Sequence, residues 1–329
     1  MRTRKEMKAR SKAFLALCMV AVVATLVPVS AFAQDYPKKP IAAIVAFPAG
    51  GGTDMAARVI LKAAEKYLKG NFVVDNKPGA GGAIGFTAIA QASKDGYTIG
   101  MINPPSILFN PIQLGDQVKY KLDDFAPIAN FVSDPGAIMV AYESPFKTLK
   151  DVVAYGKANP DKLRIAYGGP GTSEALTLRK FEADNALKLL NVPFSGTATM
   201  LTGLLGGNAD VMFANASEIM PQFAAKQIRV LAVGSDKRFT WMPEVPTYKE
   251  SGFDASQVAM RGLAAPKGVD PKILKLLADA MKKTFEDPEF QAKAKEMNLP
   301  LDYLGPDDFM AKLKSLDVFY RAEYAKNPW

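Results

Sequence analysis

Ile41-Ala-Ala-Ile-Val-Ala-Phe-Pro-Ala-Gly-Gly-Gly-Thr-Asp54 decides the fold. Residues Ile41 to Phe47 are an unbroken apolar run, the pattern of a strand buried on both faces. Thr53 to Lys69 repeats apolar residues at helical spacing up to Gly70, a stop signal. Between them, Pro48 and three glycines let the backbone turn sharply and leave no side chain over the start of the helix. A strand, a glycine elbow and a helix make an anion site, because the first helical turn offers unpaired N–H groups and a partial positive charge. The unit recurs. The run Phe72 to Asp75 leads into Asn76-Lys-Pro-Gly-Ala-Gly-Gly-Ala-Ile-Gly85, a helix over Gly82 to Ala92 and a strand over Tyr97 to Ile102. Two such elbows are placed to grip one carboxylate between them.

Outward from these units, apolar runs alternate with alanine-rich helical stretches as far as Arg261, which predicts an α/β fold with a parallel sheet covered by helices. Phe125 to Tyr142 reads as two apolar runs split by Ser133-Asp134-Pro135-Gly136, and a second series of units follows. Its helices are Leu149 to Ala158, Ser173 to Leu190 and Thr197 to Leu205; its strands are Leu163 to Tyr167, Val192 to Phe194, Asp210 to Phe213 and Ile228 to Gly234. Gln257 to Ala265 reads as a strand returning to the first series, and three helices opened by Pro271, Pro288 and Pro306 close the chain. The domains are accordingly 34–134 with 262–329, and 135–261 inserted between them. Two crossings permit hinge closure over a ligand, which excludes water and strengthens hydrogen bonds to a charged group.

Before Gln34 the chain reads as an export signal. Residues 1–12 carry six bases against Glu6, Ala13 to Val29 is apolar apart from Thr25, and Ala31-Phe32-Ala33 is a small-x-small cleavage pattern. Cleavage after Ala33 places the protein in the periplasm. A retained anchor is the competing reading, but the apolar run is near the lower limit for spanning a bilayer. Cys18 does not suit lipid attachment, because the large Leu17 precedes it. The remainder holds neither cysteine nor histidine, which excludes disulfides, thiol chemistry and the usual nucleophile and base pairings. The leader carries five of the eight net positive charges, so the mature chain is only mildly basic, with no basic face for nucleic acid. Capture is therefore favoured over catalysis, with no cofactor or metal.

Each candidate residue has two readings. In the first elbow, the N–H groups from Ala49 through Gly50 and Gly51 to Thr53 face a ligand oxygen; alternatively Thr53 or Asp54 simply caps the helix, and Asp54 can also orient water or its own loop. In the second, Gly79, Ala80, Gly81 and Gly82 either hold the same ligand or form a plain Pro-Gly connection, although Gly79, Gly81, Gly82 and Gly85 exceed what a turn requires. Neither elbow is a nucleotide motif: no Gly-Lys-Ser/Thr follows either cluster, and Ile84 stands where the dinucleotide pattern needs glycine. Thr172, Ser173, Ser195 and Thr197 are either helix caps or donors to the ligand's far end. Phe47 and Phe194 are core or cleft. Glu174 sits awkwardly for an anion site and either points to solvent or recognises an ammonium group.

These residues in this order resemble the substrate-binding receptors of tripartite tricarboxylate transporters, the Bug receptors. The resemblance runs from Tyr36-Pro37 to about Leu316. It rests on both elbows, Asp95-Gly-Tyr-Thr98, Tyr167 through Thr172, Leu204-Leu-Gly-Gly207 with Ala209-Asp-Val-Met-Phe213, Val245-Pro-Thr247 and Gly262-Leu-Ala-Ala-Pro-Lys-Gly268. It implies a two-domain, type II-like Venus-flytrap periplasmic binding protein, monomeric, that binds a small di- or tricarboxylate or aromatic acid and delivers it to a membrane permease. Carried over, the first-domain contacts are Phe47, Ala49, Gly50, Asp54, Ala80, Gly81, Gly82 and Asn103. The second-domain contacts are Thr172, Ser173, the Phe194-Ser195-Gly196 turn and Asn215. The chain departs from the family at Ser173-Glu174-Ala175, where a longer Gly-Ser turn and histidine are common, at Phe194, often tyrosine, and at Ala214, often aspartate. Those departures bear on which ligand is bound. Two other readings are presentation of the ligand to a sensor kinase and an exported hydrolase built on acids such as Asp54 or Glu174.

Overall fold

The run that opens the first unit forms β1, Ile41–Val45, and the helix after its elbow forms α1, Gly52–Leu68. The computed structural model describes residues 36–326; the export leader and the cut after Ala33 lie outside them. From Lys39 onward the chain is one compact unit. In α1, Ala56, Ala57, Ile60, Leu61, Ala64 and Leu68 recur at helical spacing and are buried. The helix stops at Lys69, one residue before the expected Gly70. Lys69 takes the left-handed conformation (φ 55°) and its N–H bonds the Glu65 carbonyl at 2.9 Å.

Parallel strands β2 (Phe72–Asn76) and β3 (Thr98–Ile102) flank β1, with α2 (Ala83–Ala90) between them in sequence. Then come α3 (Ser106–Leu114), β4 (Phe125–Ala141), α4 (Leu149–Ala158), β5 (Arg164–Tyr167), α5 (Ser173–Asn185), β6 (Leu190–Pro193), α6 (Thr197–Leu205) and β7 (Val211–Asn215). The chain ends with α7 (Met220–Ala224), β8 (Ile228–Val233), β9 (Val258–Pro266), α8 (Pro271–Glu286), α9 (Pro288–Glu296), β10 (Leu301–Leu304) and α10 (Pro306–Lys326). The sheet order is β2-β1-β3-β9-β4-β7-β5-β6, with β8 and β10 also on β4. It is a mixed α/β fold in which two parallel three-stranded groups are joined through the antiparallel pair β4 and β9.

The expected break at Ser133-Asp134-Pro135-Gly136 is absent: β4 is continuous over 17 residues. Its residues to Pro135 pair with β9, and from Gly136 onward they pair with β7 and β8. The turn-forming residue types serve the handover instead. Asp134 is ion-paired to Arg261 on β9 at 2.8 Å, and a Cβ on Gly136 would meet the Gln257 side chain at 2.1 Å, so a larger residue there would displace that side chain. Three elements were not expected from sequence: α3 follows two prolines and contains Pro111, while α7 and β10 span five and four residues. Among the described residues, no helix is long and apolar enough to cross a membrane.

Buried clusters lie beside each strand group. Ile44, Phe86, Ile102 and Phe309 pack near β1 and β3, whereas Met139, Met212 and Val230 form one cluster and Ile165, Phe181 and Phe213 another around β5 and β7. The strand ends carrying the glycine elbows are left facing one another across β4 and β9.

Candidate functional site

Asp54 organises the first elbow from inside. It is 1% exposed, and its carboxylate accepts from the Gly50 N–H (2.9 Å), Arg58 Nε (3.0 Å) and Asn76 Nδ2 (3.0 Å). Asn76 Nδ2 also donates to the Phe47 carbonyl at 3.0 Å. Burial alone would raise the Asp54 pKa, but these bonds and the Arg58 charge hold it below the ordinary value. Asp54 thus orients its loop. Gly51, the residue preceding α1, supplies no side-chain cap, so the N–H groups of Gly52 and Thr53 have no partner within the helix. The Thr53 hydroxyl accepts from Asn103 Nδ2 at 3.0 Å, and that amide also donates to the Met260 carbonyl at 3.2 Å.

The second elbow is built differently. Gly79, Ala80, Gly81 and Gly82 all have positive φ, and the Gly81 carbonyl accepts from Asn110 Nδ2 at 3.0 Å. A Cβ on Gly81 would lie 2.7 Å from the Gly171 Cα and 2.8 Å from the Pro170 carbonyl, so this elbow backs onto the loop before α5. A Cβ on Gly82 would meet the rings of Phe86 and Phe47, which pack edge to face with centroids 6.2 Å apart.

From the other strand group, Thr172 caps α5, donating to the Gly169 carbonyl at 2.8 Å and accepting from the Ala175 N–H at 3.3 Å. Ser173 and Glu174 follow, 5% and 7% exposed. Gly196 precedes α6, whose Thr197 hydroxyl bonds Glu218, and Asn215 ends β7. Arg261 occupies the centre of this region. It is 1% exposed and pairs with Asp134 through Nη1 and with Glu218 through Nη2, each at 2.8 Å. Burial opposes the guanidinium charge, but the two acids hold its pKa above the ordinary value. Asp134 accepts two further bonds, from the Ser217 N–H (3.0 Å) and hydroxyl. Its pKa is nevertheless raised, by burial first and by the Glu218 charge, against the pull of Arg261. Glu174 is pushed up to about 7 by burial, with the Glu218 charge adding to the rise.

These groups enclose a cavity of about 120 Å³. Phe47, Gly51, Thr53, Asn103, Thr172, Ser173, Ser195, Gly196 and Asn215 line it, as do Gly52, Ser106, Glu174, Thr197, Glu218 and Arg261. A wider mouth of about 970 Å³ shares Gly51, Gly52, Ser195 and Gly196 with it and adds Ala49 and Gly50. Asp54, Gly79, Ala80, Gly81, Gly82 and Phe194 line neither space. Asp54 and the second elbow support the walls, and Phe194 packs against Gly203 among the core residues of the second strand group. A groove of about 740 Å³ beside β8 is larger than the cavity but smaller than its mouth, and no glycine elbow reaches it. Sequence reasoning did not single out Arg261, Asp134 or Glu218 as site residues. The signal available was a lone arginine inside the apolar run from Gln257 to Ala265, since a charge on a buried strand needs an acid partner. Among the described residues, no cluster of three or more His, Cys, Asp or Glu stands ready to hold a metal ion.

A family model described as "Tripartite tricarboxylate transporter family receptor" matches residues 56–310. The chain is similar to a Cupriavidus necator protein called "UPF0065 protein in gbd 5'region", with 31% identity over 303 residues, 91% of this chain and 90% of that one. It is also similar to "Protein BugT" of Bordetella pertussis, with 32% identity over 260 residues, 78% of this chain and 79% of that one. The solved structure of "periplasmic binding protein BugD" superposes with a TM-score of 0.81 at 30% identity, over 88% of this chain and 98% of that one.

Proposed function

This chain belongs to the tripartite tricarboxylate transporter receptor family, and we propose that it is a periplasmic receptor that holds a small organic carboxylate at the N-terminus of α1 and delivers it to a membrane permease. The observation carrying this reading is the Gly51-Gly52-Thr53 start of α1, which lines the cavity with N–H groups free of helical partners. A helix start of this kind favours an anion through both its donors and its dipole, so a carboxylate is accepted without a dedicated cation. Thr172, Ser173, Ser195 and Asn215 approach from the opposite strand group and contact the remainder of the ligand. Residues 34–134 with 262–329 act as one domain and 135–261 as the other, flexing about the crossing strands β4 and β9. The export leader is cut after Ala33, which N-terminal sequencing of the secreted protein tests.

Titration calorimetry of the mature chain against a panel of small mono-, di- and tricarboxylates tests the receptor reading. Saturable one-to-one binding of at least one member is expected; heat of dilution alone across the panel would rule it out.

A further inference from the structure

β8 is an edge strand. It pairs with β4 along one side; on the other, its bridge among the described residues is at Val233, which donates to the Pro246 carbonyl and accepts from the Tyr248 N–H. No described strand lies beyond Ile228 to Leu231 on that side. Those four consecutive residues all line the groove of about 740 Å³. A groove over a sheet face meets every second residue, because side chains alternate, whereas consecutive residues line one that follows the backbone edge. The Ile228, Val230 and Leu231 side chains are buried, so the stretch is anchored in the core and offers the groove its main chain. A row of unpaired N–H and C=O groups is a template for another extended chain. The walls add charge. Lys147, Lys150, Lys226 and Arg229 line the groove, and among the described residues none of them forms an ion pair. Lys147 Nζ donates to the Ser144 carbonyl at 2.7 Å, and Arg229 Nη1 to the Phe146 carbonyl at 3.3 Å with its guanidinium over the Tyr142 ring. Of the two acids there, Glu250 is paired with Arg238 at 3.1 Å, which leaves Glu244. The start of α4 does not draw on these bases, because Thr148 and Asp151 cap it from within the chain.

We propose that the free edge of β8 is a docking site for an extended acidic segment of a protein partner, which adds as a strand beside Ile228 to Leu231 with its carboxylates on Lys147, Lys150, Lys226 and Arg229. Main-chain pairing supplies the affinity, and the basic walls select the partner. A second copy of this chain does not fit, since its own β8 would bring the same four bases to the edge and lysines beside an edge discourage self-pairing. At ~3.3 Å per residue the open stretch accepts roughly four residues of the added strand. None of the four bases lines the cavity or its mouth, so docking here does not depend on what the cleft binds.

A fluorescein-labelled peptide of Glu-Val repeats is the probe, titrated with the mature chain and read by anisotropy. A Lys-Val repeat reverses its charge, and a Glu-Pro repeat keeps the charge but loses half of the N–H donors a strand needs. The Glu-Val peptide is expected to bind one to one and at least tenfold more tightly than either control. With it bound, hydrogen exchange over residues 228–232 should slow at least tenfold, while residues 125–135 stay unchanged. Lys150→Glu combined with Lys226→Glu, both exposed positions, should weaken binding at least tenfold while melting as the wild type does. No saturable binding, or equal binding of the Lys-Val peptide, would overturn the proposal. So would equal binding of the Glu-Pro peptide, or binding that leaves exchange over 228–232 unaltered, because either would mean that no strand is added. Sedimentation with phosphatidylglycerol vesicles that the double variant abolishes would assign the bases to a lipid surface and overturn it as well.

Discussion

Glu174 gives the clearest residue-scale consequence, because its raised pKa fixes the sign of its effect on stability. Below its ordinary value of 4.5 the carboxyl is protonated in folded and unfolded chain alike and has no differential effect. Between 4.5 and about 7 the folded chain keeps a proton that the unfolded chain has lost, so stability falls as pH rises, and above about 7 the loss is complete. At ~1.4 kcal/mol per pH unit the total is about 3 kcal/mol. Denaturant unfolding of the wild type and Glu174→Gln at pH 4.5 and pH 8 is expected to show the variant gaining about that much relative to wild type at the higher pH; parallel profiles would show that Glu174 is well solvated. Arg261 has the opposite character. Arg261→Met leaves the buried Asp134 and the partly buried Glu218 without their cation and should cost about 3–5 kcal/mol. Adding Asp134→Asn should recover part of that loss, and a strictly additive double variant would show that the two side chains do not interact. The glycines and hydroxyls of the site were legible in the sequence because backbone turns and caps are local. The Arg261 network was not, since Arg261 and Asp134 stand 127 residues apart and acquire meaning when β9 pairs with β4.

At the scale of elements, the two elbows look alike in sequence and serve different ends. Glycine reports that something approaches the backbone closely, without distinguishing a ligand from the chain itself. At Gly52 the close neighbour is the Glu218 carboxylate, with a Cβ landing 2.1 Å from Oε1 and 2.7 Å from Arg261 Nη2; at Gly81 it is the backbone of Gly171. Helix propensity alone favours alanine over glycine by ~1 kcal/mol, so Gly52→Ala has a sign that separates the two effects. Both neighbouring side chains are fixed in an ion pair, and the new methyl must push one of them away. We expect a net loss of roughly 1–3 kcal/mol, typical of overpacking, together with at least tenfold weaker carboxylate binding. A raised melting temperature would mean that Glu218 moves aside freely. The long strand and helix units were legible because each carries its own period and stop signal. β4 was misread because Ser133-Asp134-Pro135-Gly136 has turn composition and a tertiary use, and α3 because Pro111 disguises it.

On the scale of the whole molecule, β4 and β9 carry the connection between the strand groups, pairing from Phe125 with Pro266 to Pro135 with Val258. The return of the chain near Gln257 and the crossing near residue 135 were both read from the sequence, the latter as a break; the sequence does not show that β4 runs on unbroken there and changes neighbours in mid-strand. A continuous antiparallel pair resists opening, whereas the contacts between the strand groups at the cleft are loop on loop, as at Gly81 and Gly171, or side chain on side chain, as in Arg261 with Glu218. Motion that admits a ligand should therefore spare the crossing strands and loosen the cleft loops, since local opening follows the elements with the fewest buried backbone hydrogen bonds. Hydrogen exchange read by mass spectrometry, with and without a carboxylate shown to bind, separates these regions. Peptides covering residues 125–141 and 258–266 should be protected equally in both samples. Peptides covering 48–56 and 168–176 should exchange at least tenfold more slowly with ligand, because the ligand bridges the start of α1 to the start of α5. Protection gained in one of these two segments alone would mean that the ligand is held by a single strand group, and the closing of one group upon the other would have to be abandoned.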